Sequence, residues 1–214
     1  MKKISLIGKK VPLGQYGEET ETILEDITPI EEKFDSYSNA IGSFMLTFSD
    51  LEASVDNDLA TAINERTHEP GYRIIKYLKF MNKINLLKDE YTNFICYFVS
   101  GSKKDKLIKE INTIHNKLVE LNAFRNKVAH ADWNSLDDDG FVRTKIEQSK
   151  TKGGIDLKKI KMTPNVILKF KRQNIATGNK IAEFRDKIWY EAQKSEMKGQ
   201  KNTKRVLEKG RNNL

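Results

Sequence analysis

The sequence holds one cysteine and three histidines in 214 residues. The single cysteine, Cys96, excludes an internal disulfide framework. Its place in the apolar run "YTNFICYFV" predicts a buried, inert thiol. His68, His115 and Cys96 are scattered, and no acids stand at ligand spacing from them, so no metal site is predicted. A glycine-rich phosphate loop is also missing, because "GKKVPLG" lacks the order such a loop requires. Serine and cysteine nucleophile motifs are absent, and nothing implies a cofactor. No apolar run approaches the length of a membrane span. "MKKISLIGKKVPLG" begins basic but lacks the apolar stretch of a signal peptide. A cytoplasmic protein without membrane association is the expectation.

What is abundant is charge. Charged residues make up 32% of the chain and apolar residues 38%, with a formal net charge of +8. That balance favours an anionic partner, of which nucleic acid is the commonest. The charge is uneven. Residues 11–32 contain seven acids and no base, whereas residues 194–214 contain seven bases and two acids. The chain therefore divides into an acidic lead-in over 1–27, a helical domain over 28–195 and a basic tail over 196–214. The tail reads either as a solvated end or as an RNA-gripping arm.

Apolar spacing defines the helices. Thr28-Pro29, with Glu31 following, is a helix-start signal. From there Phe34, Tyr37, Ile41, Phe44, Phe48, Leu51 and Val55 recur at alternating spacings of three and four. "THEPGY" should break this helix at Pro70-Gly71. A second helix is expected from Tyr72 to Phe98, striped by Ile74, Leu78, Met81, Ile84, Leu87, Tyr91, Ile95 and Phe98. A third runs from Lys103 to Ala131 after the break "SGSKKD". "FVRTKI" and "IDLKKIKM" then suggest two short strands or an irregular excursion. Thr163-Pro164 starts a last helix, expected to be interrupted near Gly178 and to end near Ser195. The predicted fold is all-α: an up-and-down bundle of four to five helices, with a small irregular or β-hairpin excursion after the third long helix.

The stretch "FRNKVAHADW" closes the third helix. Continuing the seam Leu107, Ile111, Ile114, Leu118, Leu121 by four residues lands on Arg125. A buried guanidinium is costly unless it is paired or faces a cleft. Asn126 and His130, four apart, share a face. Two readings fit these residues. In one, Arg125 pairs with an acid of the first helix, Asp50, Glu52 or Asp58, and His130 merely ends a helix. In the other, the three line a site for cutting RNA with its own 2′-hydroxyl. A histidine transfers protons near neutrality, an arginine fork holds the phosphate, and an asparagine orients either. His115 falls near the face of Asn126 and lines the same cleft or only flanks it. His68 belongs to a surface turn.

"RNKVAH" at the end of such a helix resembles the signature of the HEPN superfamily, in which an arginine and a polar residue precede a histidine. Arg125, Asn126 and His130 match it, and the wider layout agrees from Thr28 to Ala192. The resemblance implies a helical bundle and a metal-independent endoribonuclease in which two motifs meet in a homodimer. It further implies a toxin or abortive-infection effector acting on RNA, with an antitoxin or defence-complex partner. The alternative within the same resemblance is a non-catalytic module for RNA binding or protein interaction.

Overall fold

The computed structural model describes residues 27–63, 68–148 and 155–211. The lead-in expected over 1–27 lies outside them, apart from its last residue. Helix α1 spans Ile27–Ile63, α2 Glu69–Ile75, α3 Phe80–Phe98 and α4 Ser102–His130. A single 3-10 turn at Trp133–Ser135 leads to β1, Phe141–Gln148, and β2, Ile155–Lys161. Helix α5 runs from Pro164 to Arg211. The fold is an all-α bundle with one small excursion, and that excursion is an antiparallel hairpin in which Val142 faces Ile160. No described helix is long and apolar enough to cross a membrane.

The chain forms two compact units. Of the described residues, one unit comprises 27–49, 123–148 and 155–174, the other 50–63, 68–122 and 175–211. The first is called the hairpin unit below. Its core is aromatic: Phe44 and Phe48 of α1 are fully buried, and Phe124 of α4 stacks on Phe170 of α5 with ring centroids 3.6 Å apart. Phe44 meets Phe124 edge-on at 5.3 Å. Each large apolar side chain so buried contributes roughly 1.5–3 kcal/mol. Helix α5 starts as its residues require. Pro164 occupies the first helical position, where its missing N–H costs nothing, and the Thr163 hydroxyl accepts from the Val166 amide at 3.4 Å.

Gly140 joins the hairpin to the rest of this unit. It has φ +80°, and a Cβ there would lie 2.8 Å from Thr163 Cγ2 and 3.1 Å from the Tyr37 hydroxyl. Backbone strain and collision act together. Gly140→Ala should therefore destabilise the protein by about 2 kcal/mol or more. Thermal unfolding checks this, and an unchanged midpoint would contradict it.

The second unit packs Leu51, Val55 and Leu59 of α1 with Ile84, Leu87 and Ile95 of α3, Ile111, Ile114 and Leu118 of α4, and Ile181 and Phe184 of α5, all buried. Here several expectations need correction. The expected helix from Tyr72 to Phe98 is two helices, because the chain turns after Ile75 and the Leu78 amide donates to the Ile75 carbonyl at 2.9 Å. Ile74, ahead of that turn, is 55% exposed rather than buried. Gly71 is not a breaker: it lies inside α2, where a Cβ would come within 2.5 Å of the Ala60 backbone. Cys96 is exposed, because its neighbour Ile95 takes the core position. Helix α5 passes Gly178 without interruption, and its backbone stays helical beyond the boundary expected near Ser195.

Candidate active site

Arg125, Asn126 and His130 lie in the hairpin unit, on the last two turns of α4. The core position there belongs to Phe124, which is 7% exposed; Leu121 and Val128 flank it at 0% and 1%. A step of three from Leu121 places Phe124 inward, and Arg125 falls to the edge of the seam, half-buried. The sequence reading had put Arg125 on the seam itself.

The surroundings of Arg125 are unusual for a structural arginine. Its guanidinium carbon lies 5.9 Å from the centroid of the Phe48 ring, a cation–π placement. Nη1 donates to Asn126 Oδ1 at 3.2 Å. Nε is buried without an acceptor. Among the described residues of the hairpin unit no carboxylate pairs with Arg125. Of the acids suggested as its partner, Asp58 belongs to the second unit, where Arg185 and Tyr91 hold it. Asp58 is thus already engaged by other donors.

His130 is the last residue of α4, and its side chain is exposed. The structure joins Arg125 to Asn126, but among the described residues His130 bonds to neither. What fixes the helix end is the segment that follows. The Trp133 indole N–H donates to the Val128 carbonyl at 3.1 Å, satisfying one carbonyl that the helix end leaves free. The Trp133 ring packs against Tyr37 with centroids 6.0 Å apart. The Asp132 carboxylate pairs with the Arg143 guanidinium, and the Asp132 amide donates to the Arg143 carbonyl at 2.8 Å. Ser135 Oγ accepts from the Arg143 amide at 2.7 Å. The stretch "FRNKVAHADW" includes Asp132 and Trp133, but the sequence gave neither them nor Arg143 a role. Trp133 beside a helix end was the available signal, since a half-buried indole N–H seeks an acceptor.

The acids beyond the motif are likewise engaged. Lys159 pairs with Asp137 at 3.4 Å, and Lys33 with Asp138 at 3.3 Å. The Phe141 amide, and then Lys159, hold the Asp137 carboxyl below its ordinary range. Burial and Asp137 push the Tyr37 hydroxyl up. With those carboxylates covered, Arg125 and Lys127 on α4 are cations without an acidic partner among the described residues of the hairpin unit. Such a surface suits a phosphate.

The other histidines lie elsewhere. His115 Nε2 is 2.8 Å from Asn85 Oδ1 in the second unit, and His68 is an exposed residue with φ 57° ahead of α2. Among the described residues no three His, Cys, Asp or Glu side chains are grouped so as to hold a metal ion. No protein-family model, curated protein or solved structure matches the chain.

Proposed function

We propose that the chain is a metal-independent endoribonuclease of the HEPN type, cutting RNA by attack of a 2′-hydroxyl on the adjacent phosphate. The observation that carries this reading is Arg125: a half-buried cation with a buried, unsatisfied Nε and an aromatic floor, five residues before an exposed histidine. Arg125 stabilises the charge that develops on the phosphate oxygens. Asn126, tied to its guanidinium, fixes the direction of the fork. His130 moves protons. The reaction needs one proton removed from the 2′-oxygen and one delivered to the departing 5′-oxygen. One histidine per motif suits one of these transfers, so two motifs in a homodimer serve one RNA strand. The biological setting that follows is a toxin or antiphage effector, held in check by a partner protein.

Incubating the purified chain with total RNA tests the reading. Cleavage should survive a chelator, and it should weaken as salt rises from about 50 to 200 mM, as phosphate contacts are screened. Loss of cleavage in chelator, restored by a divalent ion, would contradict it. The dimer is tested by sedimentation at the assay concentration, where an active monomer would exclude the paired-motif mechanism.

A further inference from the structure

The second unit contains a cavity of about 310 Å³ that shares no residue with the motif at the end of α4. Its walls come from α1, α3 and α5. Phe94, Tyr97 and Trp189 supply aromatic surface, with the Phe94 and Trp189 rings 4.9 Å apart and tilted by 54°. Tyr97, also in the wall, is 84% exposed and meets Phe98 edge-on at 4.7 Å. Polar groups converge at the base. Asp58, 5% exposed, accepts from the Tyr91 hydroxyl and from Arg185 Nη1, each at 2.8 Å. Glu90 also lines the cavity, and among the described residues no cation pairs with it.

Charge decides what such a space takes. The single cation in the wall, Arg185, is covered on two sides, by Asp58 and by Asp186 at 3.1 Å. Glu90 then leaves the cavity with a net negative charge in a chain whose formal net charge is +8. Aromatic faces beside an unpaired carboxylate are the surroundings that hold an ammonium ion whose charge is spread over alkyl groups. We infer that this cavity is a binding site for a small organic cation with an alkylated ammonium head, seated against Phe94, Tyr97 and Trp189 with Glu90 as its counter-charge. This inference does not depend on the nuclease reading.

The test titrates the full chain with tetramethylammonium chloride by calorimetry. Sodium chloride at equal ionic strength is one control. The other is tert-butanol, an uncharged molecule of similar shape. Saturable binding is expected for tetramethylammonium alone. Glu90→Gln should weaken it about tenfold or more, the loss expected when a desolvated cation keeps its rings but loses its counter-charge. Tyr97→Ala should weaken it as well, and so exposed a ring can be removed without disturbing the fold. Binding of tert-butanol at equal strength, binding unchanged in both variants, or no saturable binding would each overturn the assignment. Preferential binding of adenosine monophosphate would also overturn it, in favour of a nucleotide site.

Discussion

Arg125→Met is expected to reduce RNA cleavage on the order of 100-fold while the protein unfolds at or above the wild-type temperature. The substitution keeps an unbranched apolar stem and removes the guanidinium with its bond to Asn126. What it removes from the folded state is a donor: Nε is buried without an acceptor, and such a group carries a desolvation penalty of about 1–3 kcal/mol. Methionine against the Phe48 ring retains favourable packing. Stability should therefore hold or rise while activity falls, the pattern of a charge kept for function. His130→Ala should lose activity to a similar degree, and its exposed side chain leaves no cavity behind. An Arg125→Met protein that is folded and cuts RNA at the wild-type rate would remove the main support for the proposal.

The same substitution at Arg185, in the other unit, should lower stability instead. Arg185 donates to Asp58, a carboxylate only 5% exposed. Tyr91 is the second donor to Asp58 at 2.8 Å, and its hydroxyl is pushed far up by burial and then by the Asp58 charge. Removing the guanidinium would leave Asp58 buried with one neutral donor. Breaking such a pair costs about 3 kcal/mol, which in a chain of this size lowers the unfolding midpoint by roughly 6–12 °C. Replacing both partners, Asp58→Asn with Arg185→Met, should recover part of that loss, because no charge remains buried. Thermal unfolding of the two single variants and the double variant measures this. Arg185→Met unfolding at the wild-type temperature would show that water already solvates Asp58.

The two arginines also mark what was legible in the chain. The stripes of α1, α4 and α5 were readable because a spacing of three and four puts apolar side chains on one face, although Phe34, at the start of the α1 stripe, is 54% exposed. The hairpin was readable from β-branched runs after a polar loop. The division between α2 and α3 was not, since Ile74, Leu78 and Met81 keep helical spacing across a turn that the backbone makes at Ile75–Leu78. Phe124 and Arg125 are equally compatible with alternating spacing after Leu121, and only packing against Phe44 and Phe170 selects the phenylalanine. The corner built by Asp132, Trp133 and Arg143 depends on a strand pairing with the segment after a helix, and no local pattern encodes that pairing. No local pattern singles out Arg185, and its partner Asp58 was entertained only as a partner of Arg125.

The most direct test of the central claim is the chemistry of the cut ends. An end-labelled RNA oligonucleotide incubated with the wild-type chain in chelator should yield a 2′,3′-cyclic phosphate and a 5′-hydroxyl. A single 2′-deoxy nucleotide at the cleaved position should block the cut, and His130→Ala should give no product above background. Intact RNA with the wild-type chain, 3′-hydroxyl ends, or cleavage undiminished in His130→Ala would contradict the account.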